Sequence, residues 1–174
     1  MSEWNLRQWS LLGFVFCVLM MAVALVLEHG FGLTPCPLCV FQRVAVIIAG
    51  VVFLIAMLHA PTSRLGGVLY GLLAALPVIG GITLAGRHLW LQSLPADEVP
   101  SCGPGLDYML DVLPMQQVVS TVLSGSGECA EVGARLLGLS LPGWTMIGFV
   151  VLLLIPVAMM CCGRMRGCGY RWNG

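Results

Sequence analysis

The sequence predicts an all-α membrane protein, a four-transmembrane-helix bundle whose second outer loop is long and contains a short interfacial helix. Three observations predict it. Of the 174 residues, 59% are apolar and only 9% charged, with a mean hydropathy of +0.96, and a soluble domain of this length needs far more charge to cover its surface. Four apolar stretches fit the roughly 17–25 residues that cross a hydrocarbon layer as a helix. The arginines are also distributed unequally about those stretches. The whole chain, 1–174, is read as one integral membrane domain.

The first span covers about 10–27 and contains no charge. Arg7 ahead of it resembles the start of a signal peptide, but the apolar run is longer than the usual signal core. Leu27-Glu28-His29 offers no small-x-small cleavage site, so the span is expected to be retained. A short outer loop, 28–39, ends in Thr34-Pro-Cys-Pro37. The second span, about 40–58, is broken only by Gln42 and Arg43. His59–Arg64 makes a tight turn, so spans two and three are antiparallel neighbours. The third span, about 65–85, is rich in glycine. Gly67-x-x-x-Gly71 permits close helix approach, read here as packing within the bundle, and Pro77 is expected to kink the helix because it removes one backbone hydrogen bond. The loop 86–143 is the long one. Within it Leu106–Leu123 places Leu106, Met109, Leu110 and Leu113 near one helical face, interrupted by Pro114, as suits a segment lying flat among lipid headgroups. Ser124-Gly-Ser-Gly127 then supplies a hinge ahead of Cys129. The fourth span covers about 144–162.

Eight arginines balance eight acids and lysine is absent. Nucleic-acid binding is not expected, because its electrostatic term needs a concentrated basic face. With the N-terminus in the cytoplasm, the inner side carries Arg7, Arg64, Arg164, Arg166 and Arg171 against Arg43, Arg87 and Arg135 on the outer side. The positive-inside rule therefore predicts a multi-pass protein with both termini cytoplasmic.

That topology sorts the eight cysteines. Cys36, Cys39, Cys102 and Cys129 face the side where disulfides form and persist. Cys161, Cys162 and Cys168 lie at or beyond the cytoplasmic end, and Cys17 is a small apolar residue inside the first span. Cys36 and Cys39 stand where the second helix begins, where unpaired N–H groups and the positive end of the helix dipole favour a thiolate. Pro37 suits the first turn, whose N–H is unpaired in any case. Arg43 follows Cys39 by four residues, on the same helical face. A permanent cation inside an apolar span points to function; the plainer reading is an arginine that snorkels to the interface. For Cys102 and Cys129 two readings stand, a structural staple or a redox pair beside a flexible hinge. Zinc is not expected at Cys36 and Cys39, because two further ligands are needed and no second C-x-x-C or histidine pair offers them.

Four segments placed together resemble the DsbB family of disulfide bond formation proteins: Pro35-Cys-Pro-Leu-Cys-Val-Phe-Gln-Arg43, Gly86-Arg-His-Leu-Trp-Leu-Gln92, Gly127-Glu-Cys-Ala-Glu131 and Leu137-Gly-Leu-Ser-Leu-Pro-Gly-Trp144. The resemblance runs from the first span through the fourth. It implies a quinone-dependent dithiol oxidoreductase of the bacterial inner membrane, monomeric among membrane lipid and the quinone pool, with ubiquinone or menaquinone as acceptor. It implies that Cys102 and Cys129 form the disulfide that receives electrons from a periplasmic DsbA-like thiol oxidase, with Cys102 the site of the mixed disulfide. Cys36 is then the residue that exchanges with the second loop and Cys39 the one that contacts the quinone, with Arg43 and His88 beside it. In the best-known members an acid stands at the position of Gln42, so the charge around the thiolate differs here. The loop between Asp107 and Cys129 also differs in composition. Two other functions fit parts of the pattern. A vitamin K epoxide reductase-like enzyme would place its pair near the end of a helix late in the chain, and a non-enzymatic scaffold would keep all four outer thiols oxidised.

Overall fold

The computed structural model describes residues 6–32, 35–61, 63–95, 106–124, 135–136 and 138–165. Cys102, Cys129, Cys168 and residues 125–127 of the expected hinge lie outside the described residues. Four long helices are α1 (Leu6–Phe31), α2 (Pro37–His59), α3 (Arg64–Ser93) and α6 (Leu141–Met165). Between α3 and α6 come the short helices α4 (Leu106–Val112) and α5 (Met115–Ser124), and a two-stranded hairpin of β1 (Arg135–Leu136) and β2 (Leu139–Ser140). The chain is a multi-pass membrane protein: all four long helices are long and apolar enough to span.

Local chemistry sets the helix ends. α1 runs into Gly32, whose φ of +65° suits a helix stop that residues with a Cβ resist. α2 starts with Cys36 as N-cap and Pro37 in its first turn, and closes at Ala60, whose N–H returns to Ala56 O at 3.0 Å. Ser63 caps α3, its Oγ accepting from Gly66 N at 3.1 Å. Pro77 is accommodated within α3, as proline in a span can be when neighbouring helices cover the backbone it leaves.

α3 continues past the expected exit at Ala85 to Ser93. A single glycine at 86 costs only about 1 kcal/mol relative to alanine, and the next proline is Pro95. Arg87 and His88 are therefore helical residues and not loop residues. The expected interfacial helix is two helices, because Pro114 lacks the N–H that would continue α4; Leu113 N bonds Met109 O at 2.9 Å and Gln117 N restarts on Pro114 O at 2.8 Å.

The bundle core is narrow. It centres on Phe53, Ala74, Val78, Phe149, Leu152 and Met159, all fully buried. Glycines let the helices meet there: a Cβ on Gly13 would come within 2.8 Å of the Phe53 ring, and one on Gly71 within 3.0 Å of Pro156 O. The Gly67-x-x-x-Gly71 motif thus lies within the bundle, against α6. The outward faces carry Leu19, Val23, Leu76 and Leu154, each more than half exposed, an apolar surface that a soluble protein does not show and that lipid covers.

A second, smaller core sits at one end. Leu38 of α2 and Leu91 of α3 bury against Met109 of α4 and Val118 and Val122 of α5, with Cys36 and Phe41 packed on the cluster. Of the face expected to meet headgroups, Met109 and Leu113 pack on this cluster at the ends of α2 and α3, while Leu110 stays half exposed. Arg87 holds α5 in place: its Nε donates to Leu123 O at 3.2 Å and its Nη2 to Ser124 O at 3.0 Å, while the guanidinium stacks on Trp90. Cations suit a helix C-terminus, where carbonyls lack partners.

Candidate functional site

The site forms where α2 begins. As N-cap, Cys36 turns its Sγ back to accept from Cys39 N at 3.4 Å, and its carbonyl accepts from Val40 N at 3.2 Å. This turn sets the two sulfurs 2.9 Å apart as thiols. Both are half-buried. The N-cap position thus turns the Cys36 sulfur toward the backbone donors of the first helical turn.

His88 of α3 is buried and meets both sulfurs. Its Nε2 lies 3.9 Å from Cys36 Sγ and its Nδ1 3.9 Å from Cys39 Sγ. An imidazole in that position can take a proton from one thiol and return it as the pair opens or closes. Cys36, Cys39 and His88 also bring three ligand atoms within 4.8 Å of one another. The tertiary structure thus adds to the C-x-x-C a histidine 49 residues further along the chain than Cys39, a single His that the search for histidine pairs passes over. The group has three of the four donors of a tetrahedral zinc site.

Beyond Cys39 lies a cavity of about 480 Å³ between α1, α2 and α6, walled almost entirely by apolar side chains. Its few polar groups are the Cys39 sulfur, Gln42, Arg43, Glu28 and Thr145. Arg43 does not simply snorkel to water. It forms an ion pair with Glu28 of α1, and the two side chains keep only 22% and 28% of their exposure. Gln42 is 4% exposed and its Oε1 accepts from Thr145 Oγ1 of α6 at 3.1 Å. Its Nε2 is buried and has no hydrogen-bond partner among the described residues.

Of the six residues singled out in the sequence, the fold brings Cys36, Cys39, Arg43 and His88 to one locus, and Cys102 and Cys129 lie outside the described residues. Cys39 and Arg43 share the cavity wall; Cys36 and His88 are not among its lining residues. In the sequence Glu28 stands out only within a segment that lacks a cleavage site, Gln42 only as a break in the second span and a departure from the family pattern, and Thr145 not at all. Glu28 carried a usable signal, since a charge at the edge of one span asks for a partner in another. Thr145, in an apolar run of α6, carried none.

An apolar chamber whose few polar groups are a cysteine, an ion pair, a hydroxyl and a buried amide suits a largely apolar small molecule with a few polar atoms. Cys36, on the side covered by α5, suits exchange with another cysteine.

The paired cysteines accord with the names of similar proteins. The family model described as disulfide bond formation protein DsbB matches residues 6–159. Proteins named disulfide bond formation protein B are similar along nearly the whole chain. The one from Chromohalobacter salexigens is 59% identical over 156 residues, covering 90% of this chain and 91% of its own length. That from Marinobacter nauticus is 51% identical, covering 84% and 87%, and that from Nitrosococcus oceani 50% identical, covering 90% of each.

Proposed function

The chain belongs to the DsbB family of disulfide bond formation proteins, and from that footing we propose that it reoxidises a periplasmic DsbA-type thiol oxidase and delivers the electrons to membrane quinone. The observation that carries this reading is the placement of Cys39 and Arg43 on the wall of one apolar cavity between three of the long helices. The residues present fit a quinone: the walls take an apolar ring and tail, and Gln42, with a donor that has no partner among the described residues, and Arg43 supply polar contacts for ring oxygens.

In this reading the reduced oxidase passes two electrons and two protons to the Cys102–Cys129 disulfide, which opens to two thiols, and leaves with its own disulfide restored. The Cys102 and Cys129 thiols then exchange with a Cys36–Cys39 disulfide, attack falling on Cys36 Sγ on the side covered by α5. Each exchange breaks one S–S bond and forms one, and needs a thiolate attacker with access. Cys129 follows Ser124 by five residues, a tether of at most about 17 Å, and Arg87 fixes the point from which that tether starts. His88 accepts and returns the thiol protons at both sulfurs. Quinone would supply the terminal two-electron, two-proton acceptor, leaving as hydroquinone while Cys36 and Cys39 return to the disulfide. Arg43 holds positive charge where negative charge develops on the bound ring, the arrangement in which fixed dipoles and cations act most strongly. The inner membrane, with both termini cytoplasmic, is the location that this traffic and the arginine distribution support.

The test mixes purified protein with a reduced DsbA-type oxidase and quinone, following quinone absorbance and the alkylation of each cysteine. Electrons reach quinone in the native protein and stop in Cys39→Ser. Absence of quinone reduction in the native protein, with all four outer thiols permanently paired, would leave only the scaffold reading.

A further inference from the structure

The hydrogen bonding around Gln42 is incomplete in an informative way. Gln42 sits on α2 one residue before Arg43, lines the cavity and is 4% exposed. A carboxamide has two donor hydrogens and a carbonyl that accepts. Among the described residues its Oε1 has Thr145 Oγ1 at 3.1 Å and its Nε2 has nothing. A buried amide donor without a partner is costly, more so in a bundle wrapped by hydrocarbon, where water does not stand in.

Thr145 has its own ambiguity. Its Oγ1 lies 3.1 Å from Gln42 Oε1 and 2.9 Å from Pro142 O. A hydroxyl has one hydrogen and two lone pairs, so it donates to one of these carbonyls at a time. When the hydrogen goes to Gln42, the amide presents Nε2 to its surroundings. When it goes to Pro142, the hydroxyl offers Gln42 only a lone pair. The amide then turns over to donate Nε2 to Thr145 and presents Oε1 instead. The last torsion of glutamine is broad and roughly two-fold, so the turn keeps the side chain in its place. A carboxylate at 42 would only accept.

We infer that the Gln42–Thr145 pair is the contact for a ring oxygen of the ligand in this cavity, and that it matches that oxygen in both redox states. The inference rests on the reading of the cavity as a quinone site. Nε2 donates to the carbonyl of the oxidised ring; Oε1 accepts from the hydroxyl of the reduced ring; and the Thr145 hydrogen moves between Gln42 and Pro142 to permit the exchange. No electron passes through the pair. It positions the ring and equalises its affinity before and after reduction.

The experiment measures equilibrium binding of a short-tailed ubiquinone and of its hydroquinone to detergent-solubilised protein, together with the infrared carbonyl stretch of the bound quinone. In native protein that stretch is lowered by the hydrogen bond. Gln42→Met keeps the length of the side chain and suits an apolar bundle. It is expected to return the stretch toward its unbonded position and to weaken both redox forms by roughly fivefold, the worth of one neutral hydrogen bond. Thr145→Val is expected to weaken both forms, and Thr145→Ser to restore them. An unchanged stretch and unchanged affinities in Gln42→Met would overturn the contact. Loss of quinone affinity with hydroquinone affinity intact would overturn the two-state match. Native protein that binds neither form would overturn the quinone reading itself, and so is told apart from failure of the pair.

Discussion

Glu28 of α1 and Arg43 of α2 form an ion pair on the wall of the cavity that Cys39 also lines. The pair explains how an arginine persists a turn inside an apolar span: a partner from another helix offsets its desolvation. Gln42 directly precedes this arginine, and the acid that pairs with it comes from α1. The guanidinium is engaged through Nη1, and its charge stays beside the cavity.

Arg43→Met is expected to slow quinone reduction by prereduced protein by about 100-fold, the typical cost of removing one preorganised charge-stabilising donor. Glu28→Gln keeps the cation and is expected to slow it less than tenfold. Single-turnover absorbance of quinone measures both. A native rate in Arg43→Met would remove the arginine from the site.

Cys36 and Cys39 are expected to differ toward reagents of different solubility. In a Cys102→Ser, Cys129→Ser background reconstituted in vesicles, a lipid-soluble alkylating agent is expected to reach Cys39 first, because that residue, unlike Cys36, is on the cavity wall. A charged, water-soluble agent reaches Cys36 first. Peptide mass mapping after short exposure distinguishes the order, and identical labelling of the two would contradict their inequivalence.

His88→Ala is expected to slow exchange at both sulfurs by about 100-fold, the lower end of what a positioned acid–base group contributes. The residue touches both thiols at 3.9 Å, so the loss should appear in quinone reduction and in the opening of the Cys36–Cys39 disulfide by added dithiol. A purely structural histidine would lower the melting temperature and leave the rate of the folded fraction unchanged.

Gly71→Val is expected to destabilise the bundle by about 1–3 kcal/mol, the usual cost of overpacking. A Cβ there meets Met160 Cγ and, at 3.0 Å, the carbonyl oxygen of Pro156. The methionine can move aside; the backbone cannot. Gly80→Ala has open space within 4 Å and should be close to neutral. Thermal unfolding in one detergent compares them.

Much of this molecule is legible in the chain. The four spans follow from apolar length because hydrocarbon leaves backbone polar groups no partner but one another. The Cys36–Arg43 segment reads as a redox start of a helix because N-cap geometry, proline at the first turn and i,i+4 spacing are local properties. Cys161 at the far end of α6 was likewise set apart from the outer thiols by the arginines alone.

Other features needed the packed helices. The length of α3 turned on a glycine that only weakly opposes helix, and on contacts with α5 that hold its last turns. His88 meets the two sulfurs from a helix that starts beyond the next turn of chain. Glu28 finds Arg43, and Thr145 finds Gln42, across 15 and 103 residues of sequence. The C-x-x-C and its arginine are thus fixed by the sequence itself, since backbone geometry within one helix turn carries them. The histidine, the acid, the amide partner and the cavity are fixed only by tertiary structure, since each depends on which faces of four nearly uniform apolar helices turn toward one another. Small residues and interior polar groups make that choice, and hydrophobicity, equal on all sides in lipid, does not.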